Sequence, residues 1–84
     1  VITNEAIVDY LRALIPDAEV SIVDRTGTRD HFAIRVVSTA FQGKNLLDRN
    51  RLIYQALRDP MADGRIHAAE LKAQTPDEAG ARSA

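Results

Sequence analysis

Cysteine is absent from this chain of 84 residues, and so is tryptophan. Without a thiol there is no disulfide framework, no thiolate zinc site and no cysteine nucleophile. Aromatic residues are confined to Tyr10, Phe32, Phe41 and Tyr54. At least three of them fall on faces that read as core, which leaves little for stacking on nucleic-acid bases. The four glycines stand alone, so neither a GxGxxG loop nor a Walker lysine motif is present. Neither sign of charge dominates: 11 lysines and arginines face 12 aspartates and glutamates, for a net charge of −1. Any nucleic-acid binding would therefore need a local patch, because the whole-molecule field gives no help. No apolar run approaches the roughly 20 residues that span a bilayer. The opening "VITNEAIVDY" lacks the basic start and long apolar centre of a secretory signal, and Val1 in place of methionine points to a trimmed or processed start. The expectation is a cytoplasmic protein with no membrane contact.

What is present is enough for one domain, expected over residues 1–79, with residues 80–84 as a frayed tail. A chain this short buries only about 60% of its unfolded surface, so its stability is modest. Ala6, Ile7, Tyr10, Leu11 and Leu14 recur at helical spacing, with Thr3 as N-cap and Pro16-Asp17 as the stop. "EVSIVD" and "HFAIRVVS" alternate as strands, with Val20 and Ile22 on one face and Phe32, Ile34 and Val36 on the other strand's core face. The intervening "RTGTRD" holds the only glycine of this region and predicts a hairpin. "STAFQGKNLLDRNRLIYQALRDP" reads as a short helical turn, a break at Gly43 and a longer helix that Pro60 ends. On that helix Leu46, Ile53, Tyr54, Ala56 and Leu57 share one side. After Gly64 a third strand is expected over 66–73, with Ala69, Leu71 and Ala73 facing inward. "TPDE" is a capping box, Thr75 being the cap and Glu78 the residue that reaches back. The order αββααβ predicts an α+β domain: a three-stranded mixed sheet with helices on one face.

Chemistry-bearing motifs are few. Ser21, Ser38 and Ser83 sit in no nucleophile elbow, and carboxylate pairs such as Asp77-Glu78 lie in capping or surface contexts, so an enzyme is not expected. His31 and His67 have no HxH or HxxxH spacing and by spacing alone read as structural residues. His67 shares the parity of Ala69 and Leu71, which predicts partial burial. Lys44, Arg49, Arg51, Arg58, Arg65 and Lys72 gather in the second half. They read either as a solvated helix face or as a phosphate-contacting surface, with Lys44, Arg49, Arg51, Arg58 and Lys72 the nucleic-acid candidates.

Taken together, "HF" opening the second strand, "VVS…F.GK.LL.R.R.IY..L" through the helices, "IHA" at the third strand and "TP.E" after it resemble the BolA-like family over residues 5–79. The resemblance implies a fold similar to the class II KH domain. It also implies a partner, a monothiol glutaredoxin of the CGFS type, with which a [2Fe–2S] cluster is shared. In such a heterodimer the glutaredoxin supplies its cysteine and a glutathione thiolate, and the BolA-like protein supplies the histidine of "IHA", here His67. Many relatives offer a second ligand from a longer loop between the first two strands. In this chain only His31, at the loop's end, is available, and it reads first as the ordinary strand-opening histidine. Where the family reads Arg-His-Arg this chain has Arg49-Asn50-Arg51, and Asn50 is expected to hydrogen-bond inward. The tryptophan often found after "TP.E" is missing.

The resulting expectation is a non-enzymatic adaptor or regulator in iron–sulfur trafficking or iron and redox sensing. It would carry no cofactor alone and would stand as a monomer or weak homodimer without its partner. The competing expectation is a DNA-binding transcriptional regulator of stress response using the KH-like surface; the absence of a basic excess ranks it second.

Overall fold

The structure is a computed structural model that describes residues 2–25, 27 and 31–83. The elements in order are α1 (Asn4–Leu14), β1 (Glu19–Asp24), β2 (His31–Val37), a 3₁₀ turn (Thr39–Phe41), α2 (Leu46–Ala56), α3 (Arg58–Ala62), β3 (Ala68–Gln74) and α4 (Pro76–Ser83). They form the expected α+β domain around a three-stranded mixed sheet in the order β1-β2-β3.

Local chemistry sets the boundaries. Thr3 Oγ1 accepts from the Ala6 N–H at 3.1 Å and starts α1; Ser38 and Asn45 do the same for the 3₁₀ turn and α2. The Thr75 capping box is closed in both directions: the Thr75 N–H donates to Glu78 Oε1 at 2.8 Å, and the Glu78 N–H donates to Thr75 Oγ1 at 3.2 Å. The helix it starts runs through Ser83, into the small residues assigned above to a tail. The hairpin pairs β1 and β2 antiparallel, Val20 opposite Val36 and Ile22 opposite Ile34. Residues 26 and 28–30 of the predicted turn lie outside the described residues. Gly27 adopts φ 75°, the left-handed region that favours glycine, and its N–H donates to Asp24 Oδ1 at 3.0 Å.

The long helix ends before Pro60, as the sequence predicts, but a further short helix follows that the sequence did not announce. The long helix stops at Ala56, and a new turn begins at Arg58 with Pro60 buried inside it. A proline is tolerated there because the first N–H groups of a helix have no intrahelical acceptor.

Helices α1 and α2 cover one face of the sheet. Ile7, Leu11 and Ile15 from the first, Ile53 and Leu57 from the second, and Phe32, Ile34 and Val36 of the central strand are all essentially inaccessible. Leu46 and Tyr54, expected on the core side, are 64% and 44% exposed. Leu46 opens its helix, where the first turn projects past the sheet, and Tyr54 follows Ile53 around the helix by 100°, which carries it off the buried face. Asn50 also departs from expectation: its Oδ1 is buried but has no hydrogen-bond partner among the described residues.

Two polar clamps tie the layers. Arg49, with only 14% of its side chain exposed, donates to Glu78 Oε1 at 2.7 Å, to the Lys44 carbonyl at 2.9 Å and to the Ala73 carbonyl at 3.3 Å. It joins α2, β3 and α4. Arg49→Met should therefore cost about 1–3 kcal/mol, the range for losing charge-assisted bonds in a part-buried site, and should loosen α4 first. Urea unfolding combined with amide exchange across residues 77–80 measures both effects.

The second clamp is Asp17. Its carboxylate accepts from the Ser38 hydroxyl, from the Thr39 N–H at 2.9 Å and from the Thr39 hydroxyl at 2.7 Å. The Ser38 and then the Thr39 bonds hold its pKa down from 3.8 to about 2. A depressed carboxylate contributes stability that is complete above its unfolded value and is lost as pH falls through the folded one. The clamp should thus act fully at pH 5 and disappear between pH 3.8 and about 2. Thermal melts across that window should fall less steeply for Asp17→Asn than for the wild-type chain, and equal slopes would refute this assignment.

Candidate functional site

The parallel pairing of β2 with β3 brings the N-terminal ends of both strands to the same end of the sheet. His31 opens β2 and lies in register with Ala68, the first residue of β3; His67 is the residue just before. Sequence-distant histidines therefore become neighbours. Their rings stack with centroids 5.4 Å apart and planes only 8° from parallel.

The segment leading to His67 is firmly held. Ile66 is buried, and its N–H donates to the Pro60 carbonyl at 2.9 Å. Arg65 donates from Nε to Asp63 Oδ2 at 2.8 Å and from its terminal nitrogen to the Tyr10 hydroxyl at 2.9 Å, with the guanidinium 5.5 Å from the Tyr10 ring centre. These bonds hold the Asp63 carboxyl below and the Arg65 guanidinium above their ordinary ranges, Asp63 chiefly through the Arg65 N–H and Arg65 chiefly through Tyr10. Gly64 makes the turn with φ 85°.

His67 itself is exposed, which corrects the partial burial inferred from its parity with Ala69 and Leu71. The reason is its place: β3 begins at Ala68, so the alternation that half-buries Ala69 and Leu71 has not started at position 67. His31 is half-buried and shares the outer face of β2 with Ala33 and Arg35. Across that face Arg25, at the end of β1, reaches Glu70 of β3 with paired bonds of 2.7 and 3.1 Å. The pair lowers the Glu70 pKa and raises that of Arg25, each mainly through this hydrogen bond. No local sequence signal announces it, because the partners are joined only by sheet register.

Among the described residues no group of three or more histidines, acids or cysteines could enclose a metal ion. Two imidazoles offer two neutral nitrogen donors, half of a tetrahedral set. By donor type the pair suits a metal group held jointly with another molecule, the remaining ligands coming from outside the chain; the stacked, nearly parallel rings would have to turn before both lone pairs met one iron.

The basic candidates do not assemble comparably. Arg49 is spent in its clamp to Glu78. Arg51 lies 3.8 Å from Asp48 and Arg58 3.8 Å from Asp59, both pairs well exposed. Lys72 stands on the outer face of β3, and Lys44 in the exposed segment before α2. Three of the five thus have a carboxylate within ion-pair distance, which weakens the case for a phosphate-binding surface. No described helix is long and apolar enough to cross a membrane.

A small α+β domain with a stacked histidine pair at one end of its mixed sheet is the class that fold and site define. The family model described as "BolA-like protein" matches residues 16–78, and the chain belongs to that family. Protein BOLA2 of Arabidopsis thaliana is 34% identical over 79 residues, covering 92% of this chain and 83% of the relative. A protein from the rpoN-murA intergenic region of Acinetobacter guillouiae is 33% identical over 75 residues, with 89% and 87% covered. Other relatives are longer: the match spans 13% of SufE-like protein 1 and 33% of Protein BOLA1, both from Arabidopsis thaliana. Among solved structures, a Bol-like protein from Babesia bovis superposes with a TM-score of 0.82 at 31% identity, covering 99% of this chain and 95% of that one. BolA1 from Arabidopsis thaliana gives 0.79 at 31% identity, with 92% and 98% covered.

Proposed function

We propose that this BolA-like protein is a non-enzymatic adaptor that pairs with a monothiol glutaredoxin of the CGFS type and shares a [2Fe–2S] cluster with it, in iron–sulfur trafficking or iron and redox sensing. The observation that carries the reading is the stacked pair of His31 and His67 at the end of the sheet. Two exposed or half-exposed imidazole donors, with no third metal-binding group beside them among the described residues, suit a group completed in trans by the glutaredoxin's cysteine and a glutathione thiolate. His67 is the principal ligand in this reading, because it is the more exposed and is the histidine of the "IHA" motif. His31 is the second. Replacing thiolate by imidazole raises the reduction potential of such a cluster and leaves one side open to exchange. The cytoplasm is the compartment taken with this reading, although SufE-like protein 1 and Protein BOLA1 carry chloroplastic in their names.

The test is co-expression with a CGFS glutaredoxin, followed by visible absorption and circular dichroism of the purified complex. A spectrum distinct from that of the glutaredoxin alone is the expected result. A complex that forms but shows only the glutaredoxin's own spectrum would remove the shared-cluster reading.

A further inference from the structure

The outer edge of β3 has a backbone and charge pattern that matches itself. β3 lies at one side of the sheet, with β2 as its only strand neighbour among the described residues. The Ser38 N–H bonds to the Gln74 carbonyl, so the backbone groups of Gln74, and by alternation those of Lys72, Glu70 and Ala68, point toward β2. Those of Ala73, Leu71 and Ala69 point outward. The Arg49 contact with the Ala73 carbonyl confirms this direction and covers the far end of the edge. A cavity of about 360 Å³ runs along it, lined by Leu46, Leu71, Lys72 and Glu78 among others.

We infer that this edge pairs with the β3 edge of a second copy of the chain, antiparallel and centred on Leu71. A two-fold axis through Leu71 sets its outward N–H and C=O against those of its counterpart, a hydrogen-bonded pair. Glu70 of each copy then stands opposite Lys72 of the other. These are the non-hydrogen-bonded positions, where side chains come closest, and the two opposite-charge pairs are created by one symmetry operation. The Glu70 carboxylate can keep Arg25 on one oxygen and accept Lys72 on the other. On the inner side the exposed Leu46 and the half-buried Leu71 of both copies meet. The ladder is short: Ala73, which would lie opposite Ala69, is 6% exposed with its carbonyl under Arg49, so the central Leu71 pair carries the backbone bonds. The same register puts the two His67 residues at opposite ends of the shared strand pair, roughly 27 Å apart, so the dimer leaves each imidazole pair to act separately.

Sedimentation equilibrium of the full chain up to ~1 mM tests this, that concentration being the weak end of measurable association. The wild-type chain should dimerise. Lys72→Glu, which turns both attractions into repulsions, should weaken the dimer at least about tenfold. The double exchange Glu70→Lys with Lys72→Glu restores opposite charges across the axis and should return the affinity to within about threefold of wild type; thermal melts would establish that both variants fold. In the wild-type protein the Leu71 amide should exchange more slowly as concentration rises. A chain that stays monomeric, a Lys72→Glu dimer as tight as wild type, a folded double variant that fails to recover, or a Leu71 amide indifferent to dimerisation would each overturn the proposal.

Discussion

His67→Ala should abolish the visible circular dichroism of the mixed complex with a CGFS glutaredoxin and leave the isolated domain nearly as stable as before. The side chain is exposed, and its neighbour Ile66, not His67, makes the core contact at this point. Exposed substitutions of this kind stay within about 0.5 kcal/mol, or roughly 2–4 °C in melting temperature for a domain of this size. The apo encounter with the glutaredoxin should persist, since it needs no metal ligand. What remains in the visible spectrum should be the thiolate-bound cluster of the glutaredoxin alone. His31→Ala is the matched comparison. It removes the weaker ligand and one partner of the ring stack, so a shifted rather than lost spectrum is expected, together with a modest drop in stability at the head of β2. If His67 were only structural the order would reverse, with a lower melting temperature and an unchanged holo spectrum. An unchanged spectrum in His67→Ala would sink the ligand assignment.

Phe32→Ala should have the largest effect on the fold. Phe32 sits in the central strand, is 1% exposed and lies opposite Ala69 of β3 in the ladder, beneath the helical layer. Truncating a buried phenylalanine costs about 3–5 kcal/mol, from lost transfer energy and the cavity left behind. A domain of 84 residues commands only about 4–12 kcal/mol in total. The variant should therefore be substantially unfolded at 37 °C, and at 25 °C its urea midpoint should drop by half or more. Ile34→Val, two residues along the same buried face, deletes one methyl group and should cost about 0.5–1.5 kcal/mol. Comparable losses from the two substitutions would mean that the β2 core face is not packed as described.

The parts of this molecule that were legible in the sequence are those governed by local chemistry. Thr3, the Thr75–Glu78 box and the alternation of Phe32, Ile34 and Val36 each act within a few residues, and each appears in place. Pro60 excluded a continued long helix but hid the short one around it, because a residue that breaks a helix interior is at home in a first turn. Tyr54 misled because a helical wheel places it beside Ile53 without knowing how wide the contact with the sheet is. The site was half legible. His67 could be carried over from the "IHA" motif, but its pairing with His31 depends on the register of two parallel strands joined by a long crossover. The Arg25–Glu70 and Asp17–Ser38 bonds were invisible for the same reason: their partners meet only once the chain has folded.

That register has a consequence for how tolerant the site is to change. Both imidazoles hang from the β2–β3 ladder and from the anchored segment before it, and His31 is tied to the β1 side as well, its carbonyl accepting from the Arg25 N–H at 2.8 Å. A longer hairpin carrying one more thiol or imidazole would bring a third donor to a pair already in place. Ligand number would then change while the register of the two parallel strands still brings the same two histidines together.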